Sequence, residues 1–210
     1  MSDLEFLYFD GPGRGNLARM ALHAGKVSFK DTRLTFDTWP AVKSDPSSVP
    51  SQLFGSLPCL KAGDTILAES LAVATYAAEL GIYKTNTPTP EARAVDLMVM
   101  LTNEDLKKPM YKCLFGDDAS KEAGKEALPA AVAPKLAALE RALERSGGGT
   151  FFSGEKLGMA DLAVFDSIKS PFPGLEALGV DLGPYPKLRA VAAAVGEVPE
   201  IKAFVAAGFR

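Results

Sequence analysis

Histidine occurs once in this sequence, at His23, and cysteine twice, at Cys59 and Cys113. One His cannot build a His-rich metal site, and a Ser-His-Asp or Cys-His mechanism would have to run through that single residue. The two cysteines lie far apart and neither has a CxxC partner, which excludes a zinc cage and argues against a disulfide framework. No metal is expected. Lys and Arg never cluster beyond the pair Lys107 and Lys108, and 23 basic against 26 acidic residues leave a formal net charge of −3. Neither nucleic acid nor a membrane surface is therefore an expected partner. Apolar runs long enough to span a bilayer are missing. The opening Met1-Ser2-Asp3-Leu4-Glu5 is acidic where a secretory signal would be basic, so the expected location is cytoplasmic.

What is present suits a folded chain. It has 210 residues, 47% hydrophobic and 23% charged, enough for one large or two small domains. Leu4–Phe9 is an apolar and aromatic run closed by Gly11-Pro12-Gly13, which reads as a buried strand and a turn. From Asn16, the residues Leu17, Met20, Ala21 and Ala24 repeat with helical period and Gly25 follows as a C-terminal cap. Residues 29–34 read as a second strand, and Cys59–Ala62 and Thr65–Ala68 flank Gly63-Asp64 as a hairpin. Ser70 caps a helix through about Leu80 that is apolar on two faces. The strand-helix-strand unit implies a parallel pair and the hairpin adds antiparallel strands, so the sheet is small and mixed.

Residues 82–90 are rich in Thr and Pro without a period and read as a linker. Beyond them the pattern is helical. Val95, Met98, Val99 and Thr102 mark one long helix. Leu128, Val132, Leu136, Leu139 and Leu143 mark another that stops at Gly147-Gly148-Gly149, with a kink or a start expected at Pro134. Further helices are expected over Met159–Lys169, 185–196 and Pro199–Ala206. The expected architecture is an α/β domain over 1–81, a linker over 82–90 and an all-helical domain over 91–210. His23 is expected near a helix surface, with no role.

Five features stand in order: a strand ending in Tyr8-Phe9, then Gly13-Arg14, Trp39-Pro40 with Lys43, Leu57-Pro58, and Glu69-Ser70-Leu71-Ala72 at a helix start. Together they resemble the cytosolic glutathione transferases, most closely the sigma class, which includes the glutathione-dependent prostaglandin D synthases. The resemblance covers nearly the whole chain. It implies a thioredoxin-like N-terminal domain that binds glutathione and a helical domain that completes the electrophile site. Glutathione is then a co-substrate, no cofactor is needed, and a homodimer is implied.

Carried over by position, the resemblance makes Tyr8 the catalytic tyrosine and Arg14 its neighbour that polarises the sulfur or holds the glycyl end. A phenol can donate a hydrogen bond to a thiolate and favour its charged form. Trp39 and Lys43, at i and i+4, would hold the glycine carboxylate. Ser56, Leu57 and Pro58 would bind glutathione, the Leu57–Pro58 bond being expected to be cis, with the Leu57 backbone pairing the cysteinyl part. Glu69 would pair the γ-glutamyl ammonium and Ser70 would take the α-carboxylate. Among Asn103, Glu104 and Asp105, Glu104 would reach the glutathione of a partner subunit. Phe9, Gly13 and Tyr111 would line the electrophile pocket, together with the C-terminal tail through Arg210. Gly158-Met159-Ala160-Asp161 resembles the family's Ser/Thr-x-x-Asp capping box, with Gly in place of the hydroxyl residue.

Departures concern the turn Gly11–Gly15, a segment over 44–54 that looks several residues longer than usual, and Ser56 where relatives carry Gln or Lys. Cys59, beside Pro58, invites a thioredoxin-like redox reading, but such a nucleophile belongs in the loop after the first strand, where this chain has Asp10-Gly11-Pro12-Gly13. The implied activity is conjugation of glutathione thiolate to hydrophobic electrophiles, as in detoxification. A glutathione-dependent isomerase using the same thiolate, and a non-catalytic binding or structural relative, stay open as alternatives.

Overall fold

The computed structural model describes residues 4–146, 148–169 and 173–209. Met1, Ser2 and Asp3 of the acidic opening, the expected helix stop at Gly147, and Arg210 of the tail lie outside them. Two compact units are present, one holding Met1–Thr87 with Ala203–Arg210 and the other Pro88–Lys202.

In the first unit, the strand β1 (Leu4–Phe9) leads through a 3-10 turn at Gly13–Gly15 into the helix α1 (Asn16–Ala24), then β2 (Lys30–Leu34) and the short helix α2 (Trp39–Ser44). The hairpin β3 (Cys59–Ala62) and β4 (Thr65–Ala68) and the helix α3 (Ser70–Leu80) follow. Among the described residues the strands form one mixed sheet in the order β2-β1-β3-β4. β1 runs parallel to β2 and antiparallel to β3, as the strand-helix-strand and hairpin patterns require.

Strand alternation gives the sheet two buried faces. Phe6 and Tyr8 point toward α1, whose Arg19 lies over both rings. Leu7, Cys59 and Ala68 cluster on the other face, covered by Val49 and Leu57. Val49 comes from the long segment over 44–54, where Ser51 Oγ donates to the Lys43 carbonyl at 2.8 Å and Ser48 Oγ to that of Val42 at 2.7 Å, closing the end of α2. α1 packs on α3 through small residues, Ala18, Ala21, Ala74, Ala77 and Ala78 being fully buried. The helices end in backbone contact: a Cβ on Gly25 would lie 2.5 Å from the Gly81 Cα.

Two expectations for the domain limits differ from the structure. Residues 82–90 begin with a helix, α4 (Ile82–Asn86), because Ile82 and Tyr83 are buried in the first unit. The tail returns to that unit as well. Phe204 stacks on His23 at 4.5 Å, Phe209 meets Phe204 edge-on at 5.2 Å, and an Arg33 guanidinium N–H donates to the Phe209 carbonyl at 2.6 Å. His23 is thus an aromatic anchor for the tail, and burial pulls its pKa below 6.5.

The second unit consists of α5 (Pro90–Lys112), α6 (Asp118–Arg145), α7 (Met159–Lys169), α8 (Pro186–Glu197) and the start of α9 (Pro199–Ala206). α7 is central and buried from Met159 through Ile168. α6 buries its expected stripe and runs on through Pro129 and Pro134, so no helix starts at Pro134. The face of α5 differs from the apolar period. Asp96, Asn103 and Lys107 are buried beside Val99, Leu106 and Met110, whereas Met98 is 47% exposed. The reason is α7: Asp96 accepts the Ala160 N–H at 2.8 Å, Asn103 bonds Ser167, and Lys107 Nζ meets Asp166 at 2.5 Å. Burial opposes the Lys107 ammonium, yet Asp166 and Glu104 raise its pKa above the ordinary range.

Candidate functional site

Sheet register gathers the motif residues of the first unit. Leu7 pairs with Cys59 and Cys59 with Ala68, so Tyr8, Pro58 and Glu69 are the next residues at one end of the three strands. Tyr8 also pairs with Arg33 in β2, which directs the chain after Leu34, and hence Trp39, to the same end. Five sequence segments converge there because strand direction and register leave them no other place.

Tyr8 is 9% exposed, and its hydroxyl oxygen accepts the Arg14 backbone N–H at 2.9 Å. A phenol is both donor and acceptor, so accepting the Arg14 N–H leaves its donor character intact. Two glycines make room for the ring. A Cβ on Gly15 would lie 2.4 Å from the Tyr8 ring, and one on Gly13, at φ +72°, would lie 2.9 Å from the hydroxyl. The turn therefore wraps the phenol because two of its residues lack side chains. Phe9 meets Tyr8 edge-on at 5.5 Å, stacks on Phe36 at 4.7 Å and meets Trp39 at 5.9 Å. Trp39 and Lys43 do share one face of α2, with the ammonium 6.0 Å from the indole centroid. The Arg14 and Lys43 side chains are exposed.

The Leu57–Pro58 peptide is cis. Cys59 Sγ donates to the Ser56 carbonyl at 3.0 Å, and burial pushes the thiol up to about 11, so it is an inert structural thiol. Glu69 has φ 70° and ψ 120°, a conformation that costs roughly 1–3 kcal/mol for a residue with a side chain. Strain of this size at a strand-to-helix junction points to a fixed functional position. Glu69, rather than Ser70, is the N-cap of α3 and makes no side-chain capping bond; Ser70 is the first helical residue. The Ser70 N–H is therefore among the donors that a helix start leaves for outside acceptors.

Glu104 and Tyr111 lie on α5 in the second unit. Glu104 has Lys107 Nζ at 3.8 Å, and Tyr111 has the Phe115 ring at 6.1 Å. Asn103, grouped with Glu104 in the sequence, is buried. Asp161 does cap α7: it accepts the Gly158 N–H at 2.8 Å and the Phe152 N–H at 2.9 Å. Burial pushes its carboxyl up to about 7 against those hydrogen bonds. Among the described residues no group of three or more His, Cys, Asp or Glu could hold a metal ion, and no helix is long and apolar enough to cross a membrane.

Sequence reasoning missed two features of the site. Gly15 looked like an ordinary turn residue. Arg19 is 1% exposed, and its guanidinium lies 5.6 Å from the Tyr8 ring centroid. The usable signal for Arg19 was its setting, one charged residue between Leu17, Ala18, Met20, Ala21 and Leu22.

Known proteins resemble this chain in sequence and in fold. A family model described as "Glutathione S-transferase, C-terminal domain" matches residues 104–208. The chain is 31% identical over 173 residues to glutathione S-transferase 1 of Ascaris suum, covering 81% of each. Glutathione S-transferase P 2 of Bufo bufo and the glutathione S-transferase class-mu 28 kDa isozyme of Schistosoma mansoni are 29% and 32% identical to the chain, over 77% and 79% of it and 73% and 78% of their own lengths. Among solved structures, a nematode-specific glutathione transferase of Caenorhabditis elegans superposes with a TM-score of 0.82 at 26% identity, covering 98% of this chain and 97% of that one. The Ascaris lumbricoides enzyme gives 0.79 at 29% identity with the same coverage. A mixed four-stranded sheet followed by a helical unit, with this likeness over most of its length, makes the chain a member of the glutathione S-transferase family.

Proposed function

We propose that the enzyme binds glutathione at the sheet end that carries Tyr8, ionises its thiol with the Tyr8 hydroxyl and adds the thiolate to hydrophobic electrophiles. The observation that carries this reading is the buried phenol whose oxygen accepts the Arg14 N–H at 2.9 Å. An ordinary thiol has a pKa of about 8.5 and is only a few per cent thiolate at neutral pH. Lowering that pKa by about 2 units takes roughly 2.7 kcal/mol. One hydrogen bond to a charged acceptor contributes about 1.5–3 kcal/mol, and the start of α1, directly after the turn, adds its dipole.

The rest of the tripeptide fits the groups around the phenol. The Leu57 backbone, at the open start of β3, pairs the cysteinyl part like an added strand, with Ser56 and Pro58 beside it. Glu69 pairs the γ-glutamyl ammonium, and Ser70 gives its hydroxyl and N–H to the α-carboxylate. Trp39, Lys43 and Arg14 serve the glycyl carboxylate. Phe9, edge-on to the Tyr8 ring, and Gly13, beside its hydroxyl, form the part of the electrophile site that belongs to this unit. A cytoplasmic, sigma-like detoxifying enzyme acting as a homodimer completes the reading. The exposed apolar residues Leu53 and Phe54 in the first unit and Leu97, Met98 and Leu101 in the second support pairing of copies.

Spectrophotometric conjugation of glutathione to dinitrochlorobenzene and several other electrophiles tests the activity. The expected result is net consumption of glutathione and a roughly hundredfold slower rate in Tyr8→Phe at neutral pH, the rate equivalent of 2.7 kcal/mol. No turnover with any electrophile overturns the transferase reading, and an unchanged rate in Tyr8→Phe removes the tyrosine from it. Sedimentation at micromolar concentration tests the dimer, which a single 22.2 kDa species contradicts.

A further inference from the structure

Arg19 is the largest fully buried side chain of the described residues and carries a charge that the mechanism above does not use. A guanidinium out of water costs several kcal/mol unless its donors are satisfied. Here Nε and one terminal nitrogen bond the Asp31 carboxylate at 3.1 Å, and the terminal nitrogens also donate to the carbonyls of Gly11 at 2.8 Å and Phe9 at 3.2 Å. Phe9 and Gly11 belong to the chain leaving Tyr8. The guanidinium thus ties down the turn whose Arg14 N–H holds the phenol oxygen.

Its charge is placed with equal care. The guanidinium carbon lies 5.1 Å from the centroid of Phe6 and 5.6 Å from that of Tyr8. Asp31 does not cancel this charge, because Arg33 shares the same carboxylate, its terminal nitrogen 2.7 Å from Oδ2. Asp10, at 41% side-chain exposure, reaches Arg33 at 3.2 Å from the solvent side. The remaining ionisable groups nearby are His23 on α1, which burial keeps toward its neutral form, and Arg14 in the turn. The four charges Arg19, Asp31, Arg33 and Asp10 balance, but they are not equally placed: the Arg19 cation is the one against the ring, 1% exposed, while Asp10 lies on the solvent side of Arg33. A cation near an aromatic face favours negative charge on the phenol oxygen, which makes the hydroxyl a stronger donor to sulfur.

We infer that Arg19 is a positioning residue for thiol activation: it fixes the turn around Tyr8 and holds a positive charge against the ring, lowering the pKa of glutathione bound there. This rests on the reading of Tyr8 as the activating group. The test is the pKa of enzyme-bound glutathione, followed by the ultraviolet absorbance of the thiolate against pH, in wild type, Tyr8→Phe, Arg19→Met and Asp31→Asn. Arg19→Met is expected to raise that pKa by about one unit, a tenfold loss of thiolate well below the pKa. Asp31→Asn leaves the cation less neutralised and is expected to lower it. An unchanged value in Arg19→Met beside a raised one in Tyr8→Phe overturns the inference and leaves the tyrosine reading standing. An unchanged value in Tyr8→Phe removes both. Should Arg19→Met fail to fold, Asp31→Asn carries the test alone: a raised pKa there overturns the inference, since a purely structural clamp fails in the same direction from either end.

Discussion

Replacing Gly158 by Ser would restore the capping-box sequence of the family and, on the geometry of α7, destabilise the protein. A Cβ at Gly158 would lie 2.8 Å from Asp96 Oδ1 and 3.2 Å from Oδ2. That same Oδ1 accepts the Ala160 N–H at 2.8 Å, the bond a side chain at position 158 would otherwise make. Asp161 caps the Gly158 N–H from within α7, the Ala160 N–H is capped from α5, and glycine at 158 is what leaves space for Asp96. Gly158→Ser alone is then an overpacking change costing about 1–3 kcal/mol. Asp96→Ala alone strips a charged acceptor from a buried N–H and costs about 2–3 kcal/mol. Together they open the space and refill the cap, which is worth about 1 kcal/mol, so the double variant lies no lower than Asp96→Ala and well above the sum. Thermal midpoints read the cycle at about 2–4 °C per kcal/mol for a chain of this size. A neutral Gly158→Ser, or two penalties that add, would refute the reasoning.

Gly15→Ala places a methyl group 2.4 Å from the Tyr8 ring, so the ring or the turn must shift; conjugation activity is expected to fall at least tenfold, a loss of about 1.4 kcal/mol of transition-state stabilisation, while the circular dichroism spectrum stays native. His23, the only histidine, gives a single imidazole resonance, and burial predicts a titration midpoint below 6.5. The sign follows from linkage. A depressed His contributes stability that is full above its unfolded pKa of about 6.5 and is lost as pH falls through the lower folded value. Proteolysis within the tail should therefore accelerate between those two pH values in wild type, and not in His23→Phe, which keeps the ring without the titration. A midpoint at or above 6.5 would show that the ring is not buried against Phe204.

Local chemistry made much of the fold legible. Leu4–Phe9, the hairpin about Gly63-Asp64 and the helix Ser70–Leu80 are set by apolar runs, turn residues and period, and they form as those signals dictate. Polar residues that become buried through partners distant in sequence were not legible. Asp96, Asn103 and Lys107 break the apolar stripe of α5 and are buried only because α7 meets them with an N–H, a hydroxyl and a carboxylate. Glu140 behaves alike, capping α8 by accepting the N–H groups of Lys187 at 2.8 Å and Leu188 at 3.0 Å. At the site, the residue types and order were visible in Tyr8, Trp39, Pro58 and Glu69. The floor was not, because Arg19 depends on Asp31 of β2 and on two carbonyls of a turn.

The central claim is that glutathione lies at this end of the sheet with its sulfur on the Tyr8 hydroxyl. A crystal structure of the glutathione complex tests it most directly. The sulfur is expected within hydrogen-bond reach of Tyr8 Oη, the cysteinyl backbone paired with Leu57 and the γ-glutamyl group between Glu69 and Ser70. A sulfur held elsewhere, out of reach of Tyr8 Oη, would contradict it.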